Sequence, residues 1–147
     1  MITQFFVCML ACLSFAVLFS APKKECLLCA LTGALSWIAY LVLEPAVGAV
    51  WACLFATLFL TVLSRIFAAV RKSPVTLYLV GGIFPLVPGS GIYYTSYYFI
   101  MNDMEMFAVK GMETFKIAGA IALGIIFALA IPQKVFHRSV KKKQEPE

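Results

Sequence analysis

The sequence predicts an all-α integral membrane protein of about five transmembrane helices, the fourth interrupted by a Pro/Gly break. Three observations lead there. Of 147 residues, 63% are hydrophobic and 13% charged. Several apolar runs approach the ~20 residues a helix needs to cross ~30 Å of hydrocarbon, whereas a β-barrel would show short alternating segments. One long apolar stretch, Val75 to Met101, is broken in its middle by Pro85-Leu86-Val87-Pro88-Gly89-Ser90-Gly91.

The first span covers about Ile2 to Ser20. No Lys or Arg precedes it, and Leu18 and Phe19 stand where a cleavable leader wants small residues, so the span is expected to be retained. Pro22-Lys23-Lys24-Glu25 makes a turn. The second span runs from Cys26 to Leu43, with Glu44-Pro45 ending it. The third runs from Ala46 to Ser64, with helix continuing toward Val70, and Arg65, Arg71 and Lys72 follow. After the interrupted span comes a polar segment, Asn102 to Lys116. The last span covers Ile117 to Phe136, with Pro132 near its end. Residues 1–136 thus form one transmembrane helical domain, and 137–147 a basic tail.

Charge orients the spans. The net charge of +5 lies largely in short loops and the tail, and reads as topology information, not as a nucleic-acid surface. Lys23, Lys24, Arg65, Arg71, Lys72 and the tail belong inside; Glu44 and the 102–116 segment fall outside. These assignments agree if Val75–Met101 crosses once, its ~27 residues being too few for two crossings of ~20 each. The N-terminus is then outside and the C-terminus cytoplasmic. Four spans, with the interrupted segment re-entrant or the first helix lying differently, is the alternative. Ala120, Gly124 and Ala128, like Ala30 and Ala34, repeat at helical spacing as small packing residues. Cys8, Cys12, Cys26, Cys29 and Cys53 are read as small apolar packing residues, since no second CxxC and no His cluster completes a metal site.

The break carries the functional expectation. Pro85 and Pro88 lack an N–H, which in helical geometry frees the carbonyls of Gly81 and Phe84. Gly89 and Gly91 admit unusual backbone conformations. Ser90 suits the N-cap of a second half-helix starting near Gly91. That helix end, with its free amides and positive dipole, attracts an anion such as a carboxylate, and freed carbonyls suit a cation or an ammonium group. Tyr94 and Thr95, with Ser96, are expected to line a polar path, and Tyr97 and Tyr98 to join an outer aromatic belt. The expected substrate-binding set is therefore Pro85, Pro88, Gly89, Ser90, Gly91, Tyr94 and Thr95. No nucleophile–base pair or P-loop is present, and His137 is in the tail, so the residues offer no enzyme, cofactor or metal assignment.

The run Ser73-Pro74-Val75-Thr76, then Gly82-Ile83-Phe84-Pro85-Leu86-Val87-Pro88-Gly89-Ser90-Gly91-Ile92-Tyr93-Tyr94, resembles the signature of the threonine/serine exporter family. It is most similar to that family's short stand-alone subunit (YjjB type), which matches the C-terminal half of the long members. Ala21-Pro22-Lys23-Lys24, Gly33-Ala34-Leu35-Ser36-Trp37 with Tyr40, Gly111-Met112-Glu113-Thr114 and Ala118-Gly119-Ala120-Ile121-Ala122 extend the likeness. The resemblance implies a subunit that works with a longer family partner, exports threonine and serine or, in split types, succinate, and resides in the cell membrane. Some split-type relatives carry a His and an Arg in the second helix, where this chain has Trp37 and Tyr40. The competing readings are a non-transporting membrane scaffold and a passive channel subunit. A homo-oligomer is a further expectation, because five helices hardly enclose a pathway alone.

Overall fold

The computed structural model describes residues 2–131. Pro132, the end of the last expected span and the basic tail lie outside the described residues. Among those described, the regular structure is all helical: α1 (Ile2–Leu18), α2 (Lys23–Val47), α3 (Ala49–Arg71), α4 (Val75–Ile83), a 3-10 turn (Phe84–Leu86), α5 (Gly89–Ile100) and α6 (Met104–Ala130). The helices α2, α3 and α6 are each long and apolar enough to cross a membrane. The pair on either side of the break counts as a fourth candidate span, bent by 52°. The remaining helix, α1, is apolar but has 17 residues.

The bundle packs through small side chains, as expected where lipid removes the hydrophobic drive between helices. Cys8 and Cys12 of α1 are buried against Ala30 and Ala34 of α2. Ala16, Cys26, Cys29, Ala68 and Tyr78 form a second cluster, and Ala56, Leu60 and Leu86 a third. All five cysteines are buried and reduced, in packing positions. Ala120, Gly124 and Ala128 are the buried stripe of α6, and a methyl group on Gly124 would collide with Thr57 of α3. Buried hydroxyls bond back to their own helix: Thr32 to the Cys29 carbonyl (2.7 Å), Ser36 to Thr32 (2.7 Å), Thr57 to Cys53 (2.7 Å), Thr61 to Thr57 (2.8 Å) and Ser64 to Leu60 (2.8 Å). This satisfies polar groups that hydrocarbon cannot.

Three boundaries differ from the sequence expectation. The second helix does not stop at Glu44-Pro45 but runs to Val47. Pro45 stands in its last turn, where a missing N–H costs a single bond near a helix end. The chain then reverses at Gly48, whose φ of 82° is a conformation L side chains disfavour. Arg65 is not a loop residue. It lies inside α3, is 4% exposed, and its Nη1 donates to the carbonyls of Ala128 (2.6 Å) and Leu129 (3.1 Å) at the end of α6. A guanidinium is well suited to carbonyls left without helical partners. Finally, the polar 102–116 segment is largely helical. Asp103 caps it by accepting from the Met106 N–H (3.1 Å), and Glu, Met, Lys and Ala favour helix on their own account.

Contacts fix the helix directions. Arg71 Nε meets Glu25 Oε2 at 3.2 Å, and the Tyr78 hydroxyl donates to the same carboxylate at 2.7 Å. The start of α2, the end of α3 and the start of α4 therefore share one end of the bundle, with Lys23, Lys24, Arg71 and Lys72. Close contacts of Cys29 with Gly81 and of Gly33 with Gly82 run α4 parallel to α2. A Cβ on Gly82 would lie 2.7 Å from Leu60 Cδ1 and 3.2 Å from the Gly33 N. Gly82→Val should therefore lower the stability of the purified protein in detergent by about 2 kcal/mol, the usual cost of overpacking. Gly119→Ala, with open space at its Cβ, should leave the thermal midpoint unchanged or raise it.

Candidate substrate site

The approach of Gly33 to Gly82 seats the last turn of α4 against α2, which brings the break level with Trp37 and Tyr40 of α2 and Cys53 of α3. The chain tightens into the 3-10 turn, where the Val87 N–H donates to Phe84 O at 3.3 Å. Pro88 follows with φ −75° and ψ 63°, and the Gly89 N–H donates to Val87 O at 2.7 Å. That is an inverse γ-turn. The Phe84 carbonyl expected to be free is thus occupied. Ser90 is not the N-cap: α5 begins at Gly89, Pro88 holds the cap position, and no side chain caps it. The γ-turn starts the helix earlier than a Ser90 cap would. Neither Gly89 nor Gly91 takes a positive φ. Gly91 is small for another reason, since a Cβ there would strike Thr114 of α6, whereas Gly89 faces open space.

Beyond the break, α5 packs against α6 and has no buried residue. The bend opens a cavity of about 290 Å³ between α2, α3, the break and α6, at the small end of the ~300–1,000 Å³ usual for ligand sites. Five of the expected residues, Pro85, Pro88, Ser90, Gly91 and Tyr94, lie on its wall. Thr95 does not. It lines a separate, mostly apolar groove with Ser96 on the other face of the α5–α6 pair, and its hydroxyl donates to Gly91 O at 2.7 Å. Gly89 lines neither space. The Ile92 N–H donates to Pro88 O at 3.1 Å, while the Ser90 and Gly91 amides have no backbone partner among the described residues.

The sequence did not place the opposite wall. Trp37 and Tyr40 stack there with centroids 5.2 Å apart, and the Tyr40 hydroxyl donates to Glu44 Oε1 at 3.0 Å. From α6 come Lys110, Glu113, Thr114 and Ile117. Lys110 Nζ and Glu113 Oε2 are 3.0 Å apart, so the polar run read as an outer loop presents an ion pair to the break. Their spacing of three was the available signal, because it puts both on one helical face. Trp37 and Pro85 also wall a second space of about 400 Å³ beside α1, where Phe15 stacks on Phe84 with centroids 3.9 Å apart.

An all-helical membrane bundle whose cavity lies at a broken helix is, by class, the architecture of a membrane transporter. The family model described as Threonine/Serine exporter, ThrE matches residues 4–131, and the chain belongs to that family. Its members are exporters, not enzymes. Comparison with curated proteins and with solved structures gave no match.

The two glycines of the break should separate experimentally. Gly91→Val forces α5 away from Thr114 and should cost about 1–3 kcal/mol of thermal stability in detergent. Gly89→Ala should cost nothing measurable by the same assay.

Proposed function

We propose that this chain is the short subunit of a two-chain exporter of small carboxylate-bearing metabolites, threonine, serine or a succinate-like acid. In this reading it works with a longer subunit of the same family in the cell membrane. The observation that carries the reading is the wall of the cavity at the break. Two amides without backbone partners among the described residues, at Ser90 and Gly91, stand at the positive end of α5, in a cavity that Lys110 also lines. A carboxylate is the common small group that amides and an ammonium both favour. The need for a partner is supported by α5, which buries none of its residues.

The proposed topology has five crossings. At 17 residues, α1 meets the lower bound of about 17–25 for a spanning helix. The bent pair counts as one crossing, the N-terminus is outside and the C-terminus cytoplasmic. The clustering of Lys23, Lys24, Arg71 and Lys72 at one bundle end fits this orientation.

Export of threonine, serine and succinate, measured in parallel from cells holding this chain, a longer family member, both or neither, tests the reading. Export above background only with both chains is the expected result. Equal export by the longer chain alone would leave this one as a scaffold, and flux that persists after collapse of the proton gradient would make it a passive channel. A reporter fused after Glu147 should be active only in its cytoplasmic form.

A further inference from the structure

We infer that Lys110 and Glu113 form an exchangeable ion pair that reads the charge pattern of the substrate, admitting a zwitterion and discriminating against a dicarboxylate. The inference rests on the proposed export function and assigns its selectivity to two residues. Among the described residues lining the cavity, Lys110 and Glu113 are the only ones with formally charged side chains. The lining therefore carries one positive and one negative group, with the Glu44 carboxylate behind it on the Tyr40 hydroxyl. The two are bonded to each other at 3.0 Å across one helical turn, with their side chains 36% and 51% exposed. Such an exposed pair holds together weakly, so a ligand that replaces each partner meets little resistance.

A zwitterion does that. Its carboxylate takes the Lys110 ammonium, its own ammonium takes the Glu113 carboxylate, and both protein charges stay neutralised. Ser90 and Gly91 line the same cavity, and their amides can donate to the second carboxylate oxygen. A dicarboxylate leaves the sum unbalanced. One carboxylate occupies Lys110, and Glu113, stripped of its partner, then faces a net negative ligand. Discrimination comes as much from that repulsion as from the favourable contact. Glu113 is thus a specificity residue, and Lys110 a general carboxylate anchor.

The test is export of threonine, serine and succinate by this chain with its longer family partner, comparing wild type with Glu113→Gln, Lys110→Gln and the swap Lys110→Glu/Glu113→Lys. Glu113→Gln should reduce amino-acid export about tenfold or more, the factor for losing one charged contact, while succinate export holds or rises. Lys110→Gln should reduce all three. The swap should restore amino-acid export above either single variant, and Glu113→Asp should keep the wild-type ratio at equal membrane abundance. An amino-acid to succinate ratio unmoved by Glu113→Gln, or a wild type that exports only succinate, overturns the inference and leaves the exporter reading standing. A wild type that exports none of the three overturns the exporter reading, and this inference with it.

Discussion

The contact between Gly33 and Gly82 sets the height of everything around the cavity. A nine-residue helix such as α4 has little surface with which to hold itself between two long neighbours. In lipid it gains nothing from burying apolar area, so close packing has to do the work. With no side chain on either glycine, the backbones of α2 and α4 meet directly, and Leu60 of α3 and Cys12 of α1 close over the contact. Four helices therefore converge at one point. The break follows within three residues, which is why it opens beside Trp37, Tyr40 and Cys53 and not elsewhere along α2.

A second constraint, the need to satisfy backbone groups away from water, shapes the break itself. Pro45 and Pro85 show the contrast. The first removes a donor in the closing turn of α2, and the chain leaves the helix through Gly48 soon afterwards. The second removes a donor with nine more residues of α5 still to follow after Gly91, and Pro88 removes another one turn later. Tightening to 3-10 geometry and then turning at Pro88 reuses the carbonyls of Phe84 and Val87. The Ser90 and Gly91 amides, without backbone partners among the described residues, lie in the first turn of α5, on the cavity wall. The anion-favouring end is a consequence of how the prolines are accommodated.

Much of this was legible in the sequence because it depends on local rules. Helix existence follows from apolar length, the break from Pro and Gly, and the α6 packing face from the spacing of Ala120, Gly124 and Ala128. What was not legible depends on the 52° bend. The bend sets the direction of α5, and the reversal at Asn102, with its φ of 59°, lays α6 back along it, placing Gly91 on Thr114 and carrying Lys110 and Glu113 to the break. Read linearly, those charges look like a solvent loop. Thr95 fails in the complementary way: one residue from Tyr94, it points to the other face of the same helix. Arg65 was misplaced because a cation near a span end usually marks the cytoplasmic loop. Its partners, the carbonyls of Ala128 and Leu129, lie more than sixty residues away in sequence.

The same contacts divide α6 into two halves with different loyalties. Its C-terminal half is locked to α3 by Gly124 against Thr57 and by the buried Arg65. Its N-terminal half carries α5 and little else. The cavity lies between α2, α3 and the break on one side and the α5–α6 pair on the other. The Gly33–Gly82 contact and the Glu25–Arg71–Tyr78 network lie among α2, α3 and α4. The ion pair that faces the break belongs to α6, and the stacked aromatics belong to α2. A ligand held by Lys110 and Glu113 therefore meets Trp37 and Tyr40 across the seam between the two, so charge recognition and aromatic contact come from different helices.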